Sequence, residues 1–288
     1  MTYTTEVPAV TLHDGVEIPQ LGFGVFQVPP AETQQAVEEA LAVGYRHIDT
    51  AAAYRNEAGV AAAIAASGIA REEVFVTTKL WNSEQGYDST LAACERSLEA
   101  LGSDHFDLYL IHWPVPTEGR TLETWHAFER IKAEGKSRSI GVSNFRVEDL
   151  ERLRSEAEEL PTVNQVELHP CLQQAELHPC LQQAELRAWH VEHAIATEAW
   201  SPLAQGAVLD DETIVTIAAH HERTPAQVVL RWHLQIGNVV IPKSVTPARV
   251  RENFEVFDFE LAEDEIAAIA GLDRGERIGP DPGSFVAP

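Results

Sequence analysis

Eight apolar runs of strand length, each followed by a segment with helical spacing, limit what this 288-residue chain can fold into. The runs are LGFGVF (21–26), RHIDT (46–50), VFVTTKLW (74–81), FDLYLIHWP (106–114), SRSIGVSNF (137–145), VNQVELH (163–169), IATEAWSPL (195–203) and NVVIPKSV (238–245). Between them, segments such as ETQQAVEEALAVG, EAGVAAAIAASG and LETWHAFERIKAEG repeat their apolar residues at three and four and end in glycine, as amphipathic helices do. Strand then helix, eight times, is the pattern of a (β/α)8 TIM barrel, an α/β fold. Ahead of it, VTLHDGVEIP with Asp14-Gly15 at its centre reads as a short N-terminal β-hairpin. No Pro/Gly/Ser-rich linker divides the chain, so residues 1–288 are expected to form a single barrel domain.

One segment breaks the regularity. Residues 167–175 read ELHPCLQQA, and residues 176–184 repeat it without a change. A nine-residue unit present twice is too short for a solenoid, and Pro179 would interrupt a longer helix. A lengthened loop is therefore expected after the sixth run, with the following helix starting near Leu181. The repeat also supplies His169, Cys171, His178 and Cys180, enough nitrogen and sulfur for zinc, but the duplication alone accounts for both pairs and their spacing is not a usual one. No metal is assigned.

The charge balance narrows the partners. With 21 basic against 45 acidic residues, the formal charge is −24, a field that disfavours nucleic acid and anionic membrane. The first residues lack a basic start followed by an apolar stretch, and three cysteines do not make a disulfide framework; a cytoplasmic location fits. In so acidic a chain a basic cluster is informative, and Lys243, Arg249 and Arg251 fall within nine residues after the eighth run. Barrels often bind phosphate there, whereas positive charge at a helix start opposes the helix dipole.

Functional side chains of a barrel sit where strands end. Asp49, Lys79 and His112 stand at or near the ends of the second, third and fourth runs, and Tyr54 follows Asp49 by five residues. Each has a structural alternative: Asp49 as a helix cap, Lys79 as a solvated rim residue, His112 as a core histidine. Period-two alternation nevertheless aligns Lys79 with Phe75 and Thr77 on one strand face, and a buried ammonium needs a carboxylate such as Asp49. A metal-dependent hydrolase using His47 and His112 is the other reading these residues permit.

GYRHIDTAAAY, TTKLW, LIHWP, SIGVSNF, VNQVELHP, AWSPL and IPKSV resemble, in order, the signature segments of the aldo-keto reductases, with the bacterial diketo-sugar-acid reductases the most similar branch. The resemblance implies NADPH-dependent reduction of small aldehydes, ketones or diketones, keto-sugar acids among them. It implies a catalytic tetrad of Asp49, Tyr54, Lys79 and His112, in which the ammonium lowers the pKa of the tyrosine from about 10 so that it can give up a proton. It assigns Ser143, Asn144 and Gln165 to the nicotinamide carboxamide and Trp200, where many members have tyrosine, to stacking on the ring. Ser201, Leu203, Gln205 and Gly206 match the loop over the pyrophosphate. Lys243, Ser244 and Arg249, with Val245 and Asn253, match the 2′-phosphate end, which implies NADPH rather than NADH. Phe26, Trp81 and Trp113 match the substrate wall. A monomer is expected. The alternative from another class is a sensor or regulatory subunit that binds NADPH with little turnover.

Overall fold

Parallel neighbours cannot be joined by tight turns, so every strand-to-strand step must cross over, and here each crossing carries a helix. The computed structural model describes residues 7–170 and 181–285. After a hairpin of β1 (Ala9–Thr11) and β2 (Glu17–Pro19), eight strands follow: β3 (Phe23–Gly24), β4 (His47–Asp49), β5 (Phe75–Leu80), β6 (Phe106–Ile111), β7 (Ser137–Ser143), β8 (Val163–Glu167), β9 (Ala196–Trp200) and β10 (Val239–Val240). They pair in chain order, each parallel to the next. Closure comes from the backbone beside β3 and β10: Val240 N donates to Gln20 O (2.9 Å), Gly22 N to Val240 O (2.8 Å) and Gly24 N to Pro242 O (3.2 Å). All eight runs thus become strands of one barrel. The last is shorter than its run, since Pro242 has no N–H for a ladder.

The crossing helices are α1 (Pro30–Val43), α2 (Glu57–Ser67), α3 (Tyr87–Leu101), α4 (Thr121–Ala133), α5 (Val147–Glu156) and α6 (Ala184–Glu192). Two helices, α7 (Glu212–His221) and α8 (Pro225–Gln235), fill the step from β9 to β10; α9 (Pro247–Phe254) and α10 (Glu263–Ala270) follow. The starts are written locally. In α8, Thr224 caps Gln227 N while the Gln227 side chain returns to Thr224 N, with Pro225 at the first helical position.

The hairpin turns at Gly15, whose φ of 87° favours glycine, and Asp14 Oδ1 accepts from Val16 N. Its Leu12 and Ile18 pack into the barrel against Phe75, Leu108, Leu110, Val163 and Val239. Burying each such side chain stabilises the fold by about 1.5–3 kcal/mol. That plug leaves the opposite end, where the strands' C-termini lie, as the open face.

Parts of both copies of the duplicated unit are among the described residues. Glu167 ends β8 and His169 pairs with Leu181 across an antiparallel bridge, His169 N donating to Leu181 O at 2.9 Å. Glu167–Pro170 of the first copy and Leu181–Ala184 of the second are thereby brought side by side; the lengthened loop expected between them lies outside the described residues. Helix α6 begins at Ala184 and not near Leu181: Leu181 is held by the bridge, Gln182 Nε2 donates to Ile269 O, and Gln183 adopts a left-handed φ of 53°. Cys171, His178 and Cys180 of the zinc alternative lie outside the described residues.

Because bridge partners are already adjacent, deleting residues 171–179 restores a single copy and leaves Pro170-Cys180 to make the turn. Loop-closure entropy favours the shorter connection by roughly 1 kcal/mol, so the melting temperature is expected to rise by about 2–4 °C. A fall of more than about 5 °C in calorimetry would show that the second copy stabilises the fold.

Candidate active site

The strongest electrostatic feature of the barrel is an ion pair with no access to water. Lys79 near the end of β5 is fully buried, and its Nζ donates to Asp49 Oδ1 (2.7 Å), Asp49 Oδ2 (2.8 Å) and Thr50 O (2.9 Å) at the end of β4. Burial works against the ammonium, but Asp49 and Tyr54 outweigh it and the lysine pKa is raised. The cation is permanent at any physiological pH.

Tyr54 reaches this pair through a single turn of 3-10 helix, Ala52–Tyr54. The turn is fixed by Asn56, which accepts from Thr50 Oγ1 (2.7 Å) and donates to Val25 O and Val28 O. The Tyr54 ring centroid lies 5.2 Å from Lys79 Nζ. Burial raises the phenol pKa, and the Lys79 charge pulls it back only in part, so the net shift is upward. This corrects the expectation of a net lowered tyrosine: in the resting protein desolvation wins, and the phenol holds its proton.

His112, one residue beyond β6, stands edge-on to Tyr54 and to Trp81 at centroid distances of 5.8 and 5.3 Å. Burial, then the Lys79 charge, hold its pKa well below the usual value, so the imidazole is neutral. The four residues converge where they line or underlie a cleft of about 1170 Å³ at the open face.

Around them, Ser143, Asn144, Gln165 and Trp200 form one network. Ser143 Oγ donates to Gln165 O, Asn144 Nδ2 to His112 O and to Ser143 Oγ, and Trp200 Nε1 to Asn144 Oδ1. Gln165 Nε2 donates to Asp49 Oδ2 (2.8 Å) and to Glu198 Oε2 (2.9 Å). These side chains are thus ordered by one another before any ligand arrives.

Ser201, Leu203, Gln205 and Lys243 also line the cleft. Gly206 lies beside them in the turn Ala204–Gly206, with φ 98°. Ser244, Val245, Arg249 and Asn253 are not on the wall: Ser244 Oγ accepts from Thr246 N, Val245 and Arg249 face solvent, and Asn253 is buried in α9. Arg251 is taken by Glu39 at 2.9 Å, whereas Lys243 and Arg249 have no carboxylate partner among the described residues. The start of α9 has no side-chain cap and no acid in its first turn, so its N–H groups remain open to an anion. Phe26, Trp81 and Trp113 line the cleft, Phe26 packing on Tyr54 at 5.1 Å.

Two features around the site escaped the sequence reading. The C-terminal segment supplies Ile278, Gly279, Pro280 and Phe285 to the cleft, Phe285 lying 4.3 Å from the Trp113 ring. It is anchored by Glu167, which accepts from Ile278 N and Gly279 N and pairs with His169 at 3.0 Å. A Cβ on Gly279 would come within 2.5 Å of the Trp200 ring, so a side chain there would have to displace the indole. Such a tail has no periodicity to read. Glu198 is the second, beneath Gln165; a carboxylate between Thr197 and Ala199 inside a strand was the available signal. His47 turns to Thr77 Oγ1 (3.0 Å) and is not on the cleft wall, so it does not join His112 in a metal site. Among the described residues, His220, His221 and Glu265 converge at the surface, where Glu265 also caps α10.

At the open face of a parallel barrel the site thus brings together a buried lysine–carboxylate pair, a phenol and a neutral imidazole. Residues 20–274 match the model of the aldo/keto reductase family. The chain is 55% identical over 278 residues to an aldo-keto reductase of Mycolicibacterium smegmatis, covering 96% of this chain and 98% of that one. It is 49% identical over 278 residues to the methylglyoxal reductase DkgA of Escherichia coli K12, covering 96% and 97%. A mutant of Gox0644 solved in complex with NADPH superposes with a TM-score of 0.91 at 48% identity, covering 98% of this chain and all of that one. The chain belongs to the aldo/keto reductase family.

Burial also makes the acid stability of this protein predictable. Burial holds His47 down to about 4 and His190 and His233 to about 3, with His112 shifted the same way. Below pH 6.5 the unfolded chain takes up protons at these four positions that the native state refuses, so stability falls as pH falls. Glu198, pushed up to about 8, and Glu57, also raised, hold protons only in the native state and offset part of this. The net is a loss of roughly 2–3 kcal/mol per pH unit between pH 6 and 4.5. Urea unfolding across that range should show it; a flat dependence would mean these imidazoles are charged in the folded protein.

Proposed function

We propose that this chain reduces small aldehydes, ketones or dicarbonyl compounds to alcohols at the expense of NADPH, with Tyr54 as general acid. The observation that carries the reading is the buried Lys79 cation, paired with Asp49 and 5.2 Å from the Tyr54 ring, beside a neutral His112 at the cleft. The cofactor fits the residues present. Trp200 offers a flat aromatic face, Gln165 a carbonyl oxygen whose amide nitrogen is already held, and the open α9 start, with Lys243 and Arg249 that have no carboxylate partner among the described residues, a place for phosphate. Ser143, Asn144 and Gln165 would hold the carboxamide, Ser201, Leu203, Gln205 and Gly206 the pyrophosphate, and Lys243, Ser244, Val245, Arg249 and Asn253 the 2′-phosphate end. When bound, NADPH supplies the hydride for the carbonyl carbon.

The protein's own part is the oxygen. As negative charge builds there, the neutral imidazole of His112 donates a hydrogen bond and Tyr54 gives its proton, leaving a phenolate beside the Lys79 ammonium. The resting tyrosine need not be ionised. It needs a neighbour that stabilises the phenolate at the moment it forms, and the lysine is kept charged for that purpose by Asp49. Phe26, Trp81 and Trp113, with Phe285, give a compact aromatic wall suited to short carbonyl compounds, and methylglyoxal is the first substrate to try given the DkgA relatives. A single-domain monomer is part of this reading. The acidic surface supports small-molecule partners over nucleic acid, and no described helix is long and apolar enough to cross a membrane; a cytoplasmic location completes the reading.

Two variants test acid and cofactor separately. Tyr54→Phe should lower turnover by about 10²–10⁴-fold while NADPH affinity stays within about twofold by fluorescence titration; unchanged turnover would assign the proton to another group. Lys243→Ala should weaken NADPH by roughly tenfold or more, the scale of one charge-assisted hydrogen bond, and leave NADH unaffected. Equal losses would contradict the phosphate contact. Tight NADPH binding by the unaltered protein without turnover on any carbonyl would favour a sensor.

A further inference from the structure

Beneath the tetrad lies a buried acid that the reaction as described does not use. Glu198 on β9 is in register with Gln165 on β8, so the two side chains stand next to each other on the inner face of the barrel. Gln165 Nε2 bridges Glu198 Oε2 (2.9 Å) and Asp49 Oδ2 (2.8 Å), which makes one amide the link between two carboxyl groups. The other oxygen, Glu198 Oε1, is buried without a hydrogen-bond partner, and His47 Nε2 lies 3.6 Å from it.

Charge counting shows what this arrangement requires. The titratable groups facing Glu198 are Asp49 and His47 from β4, Lys79 from β5 and Tyr54 from the turn after β4; its register partner on β10 is Val239. Lys79 is the only permanent cation among them, and Asp49 already neutralises it. Two ionised carboxylates around one ammonium would leave a net negative charge in a dry interior, together with a bare carboxylate oxygen.

We propose that Glu198 carries a proton on the oxygen that faces His47 and acts as a positioning residue, fixing the Gln165 amide while keeping a second negative charge away from Tyr54. The proposal rests on the assignment of Tyr54 as the proton donor. Burial and then the Asp49 charge push Glu198 up to about 8, while burial holds His47 down to about 4, so at neutral pH the proton belongs to the glutamic acid. Its loss at higher pH would have a definite sign. A Glu198 carboxylate raises the Tyr54 pKa further, and a weaker acid gives up its proton less readily to the carbonyl oxygen.

Glu198→Gln places an uncharged group of the same shape at this position and removes the titration. At pH 7 its turnover number and NADPH affinity should be within about twofold of the unaltered enzyme. Between pH 7 and 9 the unaltered enzyme should lose at least about threefold more of its turnover number than the variant does, since only it acquires the extra charge. Superposable pH profiles would overturn the proposal. A second readout does not depend on turnover or on the variant's activity: the infrared spectrum of the unaltered protein at pH 7 should contain a buried carboxylic-acid C=O band that Glu198→Gln lacks. Absence of that band in the unaltered protein would also overturn it. If Tyr54→Phe keeps full activity, the assignment of the proton donor fails, whereas the infrared band still reports whether Glu198 holds its proton.

Discussion

The ammonium of Lys79 is the charge around which this barrel is organised. A lysine in a dry interior survives as a cation only if its protons find acceptors and its charge finds a partner, and Asp49 with the Thr50 carbonyl meets both needs. Removing one partner from such a pair typically costs 3–5 kcal/mol. The pair is therefore a strong constraint on the ends of β4 and β5. The other site residues follow from it: the 3-10 turn delivers Tyr54 to the cation, Gln165 shares Asp49, and the same positive charge helps to keep His112 neutral.

The fold supplies what that charge needs. The N-terminal hairpin closes one end of the barrel with Leu12 and Ile18, while the other end is walled by aromatic rings and the C-terminal segment. Between the two lies a polar layer of Asp49, Lys79, Gln165, Glu198 and His47, buried by apolar residues on both sides. Its members are held by hydrogen bonds that exist without a ligand. The site is preorganised, and the electrostatic work of assembling it is done during folding and not during turnover.

Much of this was legible in the chain. The eight runs with helical spacers specify the barrel, and the strand ends carrying Asp49, Lys79 and His112 point to its open face because period-two patterning marks a lysine among buried residues. Seven ordered motifs tie them to a family. What could not be read has physical reasons. The sign of the tyrosine shift is a contest between desolvation and one cation, and only the depth of the pocket decides it. Glu198 works through Gln165, a contact set by strand register. The C-terminal segment owes its place to the Glu167 carboxylate, more than a hundred residues earlier, and to the absence of a side chain at Gly279. In the duplicated segment two identical copies offer the chain the same residues twice, so the sequence could not say that Gln182 and Gln183 would be the ones to bond the Ile269 and Glu167 carbonyls.

The central claim is that Lys79 lowers the cost of forming a phenolate at Tyr54, even though burial keeps the resting pKa high. Carbon-13 NMR of protein labelled at the tyrosine ζ carbon follows that ionisation directly, with Tyr54→Phe identifying the resonance. In Lys79→Met the Tyr54 titration should move upward by about one pH unit or more relative to the unaltered protein. A titration that does not move, in a variant whose fold is intact, would contradict the account.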